Sequence, residues 1–351
     1  VKKQEKIFVG ISGGVDSSVA ALLLKEQGYD VQGIFVKTWS PDWLPCTWIE
    51  EKRDAMRICA ALDIPFHFLD ASDAYEHGVA EYMISEYKAG RTPNPDVLCN
   101  KVIKFGVMWQ YAEAHGADSI ATGHYSQIKN GMLCKAVDTA KDQSYFLWMI
   151  EKELLGKIQF PIGHLQKNEV RALAEQAGLF TASKKDSQGI CFLGDIDMKE
   201  FLAHYIDQRP GKVINGKGEV VGDHDGVTFY TIGERHGFRI TEKNTNRLPY
   251  YVVAKNITEN VLIVSLSIKN IDSAASGTIL IRLRDTNWFS AIQSNKAHTA
   301  QIRYHGSLLP VTIVDDTTVA LATDEVIPLG QSVVLYDGEI VLGGGVIDFL
   351  M

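Results

Sequence analysis

The sequence predicts an α/β protein in three parts: an N-terminal doubly wound parallel sheet, a small β-rich central domain and a C-terminal antiparallel β-barrel. Two observations carry this. Strand-like apolar runs alternate with helical patterns up to about residue 205, the signature of a parallel sheet covered on both faces. From Pro210 onward, short alternating runs are separated by turn signals, as in antiparallel β structure. At 351 residues the chain exceeds one ordinary domain, and the expected division is 1–208, 209–273 and 274–351.

Ile7 to Ile11 reads as the first strand. It runs through a Gly-Gly turn into an apolar helix ending near Gly28. Val31–Val36 and Phe66–Leu69 read as strands around a helix that starts near Glu50. Ala74–Tyr87 and Val102–His115 read as helices, and Ser119–Ala121 as a strand. In the second half, Asn215-Gly216 and Asp225-Gly226 are turn candidates, and Tyr250–Ala254 and Val261–Ser265 read as strands. The barrel strands are expected at 278–283, 297–304, 309–314, 318–322, 332–336 and 339–342, with Asp337-Gly338 as a hairpin turn.

Composition excludes several classes. The chain is 46% hydrophobic and 22% charged, ordinary for a globular protein. No uncharged apolar run reaches the roughly 18 residues a membrane helix needs. Lys2, Lys3 and Lys6 precede an apolar stretch, but Gly13-Gly14 and Asp16 interrupt it, so a signal peptide is not expected. Five cysteines, at 46, 59, 99, 134 and 191, include no C-x-x-C pair, which disfavours a disulfide scaffold or a zinc ribbon. A cytoplasmic protein is expected. The net charge of −8 argues against polyanion binding through overall charge and leaves room for a local basic groove.

Three segments carry chemistry. Ser12-Gly13-Gly14-Val15-Asp16-Ser17-Ser18 joins a strand to a helix. Its glycines permit close backbone approach to an anion, and helix N-terminal amides favour phosphate. It lacks the lysine of a Walker A loop and the G-x-G-x-x-G spacing of a dinucleotide fold. A pyrophosphate held by amides and hydroxyls is expected, with Asp16 near the metal or the amides; the bland alternative is a capped strand–turn–helix connection.

The second segment is Lys88-Ala89-Gly90-Arg91-Thr92-Pro93-Asn94-Pro95-Asp96-Val97-Leu98-Cys99-Asn100. Its prolines predict a rigid, exposed loop presenting Asn94, Asp96 and Cys99 just before a helix, where a thiol is activated. The third is Lys184-Lys185-Asp186-Ser187-Gln188-Gly189-Ile190-Cys191-Phe192. Cys99 and Cys191 form a candidate pair, able to alternate between persulfide carrier and resolving thiol. Two buried cysteines or one metal site are the alternatives.

The S-G-G-V-D-S run resembles the signature of the PP-loop ATP pyrophosphatases, the adenine nucleotide alpha hydrolase-like fold. Together with A-T-G-H-Y (121–125), K-D-Q-S-Y-F-L (141–147) and the two cysteine segments, in order, the chain is similar to the bacterial tRNA-specific 2-thiouridylases. The likeness extends to Gly330-Gln331-Ser332 and Leu342-Gly343-Gly344-Gly345.

The resemblance implies that ATP, with magnesium, adenylates the 2-oxygen of the wobble uridine in tRNA. A persulfide on Cys191 then attacks the 2-carbon, Cys99 assists sulfur release and can close a disulfide with Cys191, and AMP leaves. It implies ATP binding by Gly10, Ile11, Ser12, Gly13, Gly14, Val15, Asp16 and Ser17, with Val36 and Gly123 near adenine and ribose. Asn94, Pro95 and Asp96 would contact the target base, Asp96 as candidate proton acceptor. His124, Lys141, Asp142, Gln143, Arg303, Tyr304 and Gln331 would contact tRNA. No protein metal site is implied beyond ATP-bound magnesium. The implied partners are tRNAs for Lys, Glu and Gln, and a sulfur-carrier protein or cysteine desulfurase as persulfide donor; no membrane is implied.

Two rival readings stay open here: a pyrophosphatase that aminates a small molecule, which needs no cysteine pair, and a silent tRNA-binding module. Cys59 and Cys134 read as structural, Cys46 as a surface-loop cysteine whose role the sequence leaves open, and Phe146, Leu147 and Trp148 as core. His67, His77 and His115 read as isolated.

Overall fold

The computed structural model describes residues 4–44, 48–185, 197–241, 249–267, 277–291 and 296–351. In chain order the first strands are β1 (Lys6–Gly10), β2 (Asp30–Lys37), β3 (Phe66–Asp70), β4 (Ser119–Ala121), the hairpin β5 (Gln127–Lys129) and β6 (Met132–Cys134), and β7 (Ile158–Gln159). β1 to β4 and β7 form one parallel sheet in the order β3-β2-β1-β4-β7. Ile7, Phe8 and Val9 are at most 1% exposed, as a strand covered on both faces requires.

The chain moves outward from β1 to β2 and β3, then crosses to β4 on the other side of β1. The loops after β1 and β4 therefore diverge at the carboxyl edge and open a crevice, the place where doubly wound sheets hold ligands.

Helices α1 (Val15–Glu26), α2 (Trp48–Ala61) and α7 (Lys167–Gln176) pack one face of this sheet through Val19, Ala20, Leu24, Ile58, Cys59, Val170 and Ala174. α1 ends where Gly28 adopts φ +87°, the left-handed stop the sequence predicts. The other face is covered by two interrupted helices. One is α3 (Ser72–Tyr75), a π-helical turn at Glu76–Ala80, and α4 (Glu81–Lys88). The other is α5 (Pro95–Leu98), a π-helical stretch at Cys99–Val107, and α6 (Met108–Ala114). Cys59 lies where a Cβ on Gly33 would meet its sulfur at 2.4 Å, so it fills the core as expected.

The central sheet holds β8 (Gly211–Asn215), β9 (Val220–His224), β10 (Arg239–Ile240), β11 (Tyr251–Asn256) and β12 (Val261–Ser265), in the order β10-β9-β8-β12-β11. Asn215 makes the β8–β9 turn, its Oδ1 accepting from the amides of Lys217 at 2.9 Å and Glu219 at 3.1 Å. The sheet packs on α4 and on α8 (Met198–Ala203) through Met83, Tyr87, Phe201 and Leu202.

The barrel comprises β13 (Thr278–Trp288), β14 (Ala297–Gln301), β15 (Leu309–Asp315), β16 (Thr318–Ala322), β17 (Ser332–Asp337) and β18 (Ile340–Leu350). The strand order β13-β16-β15-β14-β17-β18 closes by pairing β13 with β18. β18 runs well beyond the expected 339–342. Its glycines explain why: a Cβ on Gly344 would lie 2.4 Å from the Val333 carbonyl oxygen, and one on Gly345 2.8 Å from Leu283 Cβ. Only a strand without side chains there fits between its neighbours.

The β5–β6 hairpin, from within the first two hundred residues, joins the barrel sheet at Cys134 opposite Ile340. Cys134 is in a strand, as expected, but in the barrel's sheet. Nearby Tyr145, Leu147 and Trp148 share one core with Phe289, Val334, Tyr336, Val341 and Val346 of the barrel segment. Asn287 Nδ2 donates to the Trp148 and Ile150 carbonyls, each at 2.7 Å. No helix among the described residues is long and apolar enough to cross a membrane.

Candidate active site

The Ser12–Ser17 loop lies at the carboxyl end of β1, in the crevice between the diverging loops. Gly13 has φ +81°, a conformation glycine adopts freely. Ser17 Oγ accepts from the Ser12 amide at 3.2 Å and donates to the Gly14 carbonyl at 3.2 Å, so the loop is shaped by its own hydroxyl. Lys184 braces it from outside, with Nζ 3.0 Å from the Gly13 carbonyl and 2.8 Å from Asp54 Oδ2. Gly123, after β4, faces the loop so closely that a Cβ would lie 2.6 Å from Ser17 N and 2.7 Å from Asp16 C. Gly10 and Ile11 end the strand, Val15 begins α1, and Val36, near the end of β2, is 7% exposed.

Asp16 accepts from Lys167 Nζ at 2.8 Å on both carboxylate oxygens and from the Tyr125 hydroxyl at 2.9 Å. Sequence reasoning missed Lys167. It stands 151 residues from Asp16 and reads as an ordinary charged residue at a helix start.

The segment 88–100 is not a loop throughout. Helix α5 begins at Pro95, with the Asn94 side chain accepting from the Val97 amide at 3.4 Å. Proline is suited to the first helical position, where its missing N–H costs nothing. The expectation of an exposed thiol is also corrected. Cys99 is 0% exposed and sits in the core cluster with Val97 and Ile103. Its polar neighbour Asn100 is buried with it, Nδ2 donating to the Phe146 carbonyl at 3.0 Å; the Cys99–Ile103 spacing of four was the available signal. Cys191, the rest of its motif at 186–192, and Cys46 lie outside the described residues.

His124 is buried, its Nδ1 2.7 Å from Thr122 Oγ1 and its Nε2 3.2 Å from Lys104 Nζ. Lysine only donates, so Nε2 accepts and Nδ1 carries the proton. Burial first, and Lys104 second, hold its pKa well below the usual histidine value. Lys104 stands five residues after Cys99 on the same π-helical stretch. Gly123 and His124 thus link the glycine loop to the Cys99 helix.

Gln143 clasps the same loop: its Oε1 accepts from the Tyr125 amide at 3.0 Å and its amide donates to the Tyr125 carbonyl at 2.8 Å. Asp142 accepts from the amides of Ala136 and Ser144 and from the Ser144 hydroxyl. Burial raises its pKa despite those bonds. Lys141 precedes them, half-buried.

The barrel reaches this region. Tyr304 packs on Phe146 with ring centroids 4.4 Å apart; burial raises its phenol pKa first, and the charges of Asp142 and Asp96 raise it further. Arg303 Nη2 donates to Glu325 at 2.6 Å, while its buried Nε has no partner among the described residues. Gln331 Nε2 donates to the carbonyls of Thr92 at 2.9 Å and Pro93 at 3.3 Å. Asn94, Leu98, Lys101, Met149, Asp285 and Ser332 line a cavity of about 210 Å³ between this helix start and the barrel. Among the described residues, no three metal-ligating side chains gather.

His67 and His115 are not isolated, contrary to expectation: their rings lie 5.9 Å apart around Tyr111. His67 also contacts Gln32 Oε1 at 3.2 Å. This cluster lies beside Phe8, within β1 and short of the carboxyl edge.

Residues 5–195 match the family described as tRNA methyl transferase HUP domain, 199–266 its PRC-barrel domain, and 279–347 the aminomethyltransferase beta-barrel domain. The chain is 45% identical to the tRNA-specific 2-thiouridylase MnmA of Oceanobacillus iheyensis, covering 99% of this chain and 96% of that protein. It is 44% identical to the protein of the same name from Alkaliphilus oremlandii, covering 99% and 98%. A solved 4-thiouridine synthetase–RNA complex with bound ATP is similar at 19% identity and TM-score 0.37, over 54% of this chain and 46% of that one. With motifs in order and near-complete coverage at this identity, the chain belongs to the family of the tRNA-specific 2-thiouridylases.

Proposed function

We propose that the protein is an ATP-dependent tRNA sulfurtransferase that converts the wobble uridine of tRNA to 2-thiouridine. The observation that supports this most directly is the linkage just described. A chain of contacts runs from a lysine-free glycine loop, through Gly123, His124 and Lys104, to the interrupted helix that Asn94 caps and that carries Cys99.

The chemistry needs two stages because a uracil carbonyl oxygen is a very poor leaving group. The 2-oxygen attacks the α-phosphorus of ATP; the bond to the β-phosphate oxygen breaks, and pyrophosphate leaves with the electron pair. Residues 10–17 and Gly123 would hold the nucleotide, with Val36 at the adenine. Magnesium would arrive with ATP and draw charge from the phosphates, with Asp16 the loop's carboxylate able to hold it. Asn94, Pro95 and Asp96 would hold the extruded base, Asp96 accepting its proton.

The terminal sulfur of a Cys191 persulfide then attacks the 2-carbon, and AMP departs with the carbon–oxygen bonding pair. The Cys99 thiolate, which is buried here and would be reached only once the helix start that covers it opens, attacks Cys191 sulfur; a Cys99–Cys191 disulfide would form, and the sulfur–sulfur pair would stay on the base as 2-thiouridine. A dithiol reductant resets the disulfide. A sulfur-carrier protein or cysteine desulfurase would reload Cys191.

Arg303, Tyr304 and Lys141 would meet tRNA directly. His124, Asp142, Gln143 and Gln331 would serve the same surface by fixing the backbone around it. The cytoplasm, and tRNAs for Lys, Glu and Gln, belong to this reading.

The test is thiolation with purified protein, ATP, magnesium, unmodified tRNA and either sulfide or a persulfide donor, read by mass spectrometry of nucleosides. Wild-type protein should form 2-thiouridine. Cys99→Ser and Cys191→Ser should each form none with a persulfide donor, yet bind tRNA within about threefold of wild type, since neither removes a phosphate contact. Wild-type turnover by either variant would overturn the assigned roles. AMP release without tRNA, onto a small molecule, would favour the aminating rival.

A further inference from the structure

The glycine loop has no lysine of its own, yet a pyrophosphate leaving group concentrates negative charge. The structure supplies a cation from elsewhere. Lys167 Nζ lies 2.8 Å from each Asp16 carboxylate oxygen and 5.7 Å from the centre of the Tyr125 ring. Asp16 stands in the first turn of α1, which follows β1, and Tyr125 in the loop after β4, so the ammonium spans both walls of the crevice. Its side chain is 14% exposed. The backbone beneath is fixed: the Lys167 amide donates to Asp138 Oδ2 at 2.9 Å and opens the ten-residue helix α7.

Lys184, the other lysine at the loop, is held on the Gly13 carbonyl and Asp54. That is a brace on the loop's backbone, whereas Lys167 touches the side chain at the start of α1. A poorly exposed lysine–carboxylate pair adds little net stability, because desolvation offsets the attraction. Asp16 therefore holds the ammonium at the crevice more than it stabilises the fold.

We propose that Lys167 is a catalytic residue of the adenylation step: it leaves Asp16 when ATP enters and neutralises the β- and γ-phosphates as pyrophosphate departs. The inference rests on the ATP reading above and adds a residue that no motif in the loop contains. As the α-phosphorus–oxygen bond breaks, the electron pair moves to the bridging oxygen. Lys167 offsets that charge without transferring a proton. Positive charge held where negative charge develops is in many enzymes the largest single source of rate enhancement.

The experiment compares wild type, Lys167→Met, Lys167→Arg and Tyr125→Phe for AMP formation in the presence of unmodified tRNA, and for binding of ATP and AMP by calorimetry. AMP lacks the two phosphates Lys167 would touch. Lys167→Met should lower the AMP-forming rate about 100-fold or more and weaken ATP, while AMP affinity stays within about threefold. Lys167→Arg should recover part of the rate. Tyr125→Phe, which removes the other partner of Asp16 and leaves the lysine, should keep at least about a third of the rate.

Equal weakening of ATP and AMP by Lys167→Met, or equal rate losses in Lys167→Met and Tyr125→Phe, would assign the effect to the placement of Asp16 and overturn the proposal. Failure of the wild-type protein to bind ATP would instead overturn the ATP reading itself.

Discussion

Arg284, on the first barrel strand, donates to the carboxylate of Glu86 on α4, 198 residues earlier in the chain, at 2.5 Å. The same carboxylate accepts from Arg91 Nε at 2.8 Å. Arg91 precedes Asn94 and Asp96 by three and five residues, so one buried acid ties the barrel to the root of the segment proposed to hold the base.

Replacing that acid tests the tie. Glu86→Gln should cost about 1–3 kcal/mol, below the ~3–5 of a fully buried pair because both arginines keep some solvent screening. Burial pushes the Glu86 carboxyl up, but the Arg91 hydrogen bond and the charges of Arg284 and Arg91 outweigh it and leave the carboxyl below its ordinary value. A lowered carboxyl pKa stabilises the fold above the unfolded value of about 4.5, and this is lost as pH falls through the folded value. The Tm gap between wild type and Glu86→Gln should therefore be full at pH 7 and shrink below about pH 4.5. A gap independent of pH would contradict the ion pair.

Gly123→Ala places a methyl 2.6 Å from Ser17 N. Backbone cannot yield as a flexible side-chain end can, so the two loops must separate. ATP affinity should fall at least about tenfold, with a stability loss of about 1–3 kcal/mol. Calorimetric titration with ATP checks this; unchanged affinity would show that the close approach does not shape the nucleotide site.

Cys59 should be inert. Burial pushes its thiol up to about 11, so at pH 7.5 fewer than about one in a thousand molecules carries the thiolate. Iodoacetamide at that pH should leave the Cys59 peptide unmodified in native protein and modify it in urea, as read by peptide mass spectrometry. Native labelling would show that this face of the sheet opens.

Binding to tRNA should weaken steeply with salt although the chain carries a net charge of −8, because local cations displace counterions from the phosphates. With about five phosphate contacts, log affinity should fall against log salt with a slope of about −3 to −4. A flat plot would remove the electrostatic grip from the binding.

Local features were legible in the sequence, and features fixed by distant partners were not. The glycine loop, the Gly28 stop and the Asn215 turn depend on neighbours within a few residues, and each reads directly from its run of residue types. Lys167 gains its meaning only from Asp16, across most of the parallel sheet. Cys99 is polar by its sequence neighbours and buried by helical geometry, which the prolines before it obscured. The β5–β6 hairpin could be read as strand-like at Cys134, but its pairing with β18 depends on a residue some two hundred positions away.

That hairpin bears on how the protein can be divided. The parallel-sheet part and the barrel share a continuous interior, with Trp148 at 0% exposure against the barrel's glycine-rich last strand. A fragment ending before β13 would expose Tyr145, Leu147 and Trp148 to water, a loss of several kcal/mol. Swapping barrels between relatives would transplant half of a core. Changes to this protein must come by altering surface side chains in place, since the barrel is not a detachable handle.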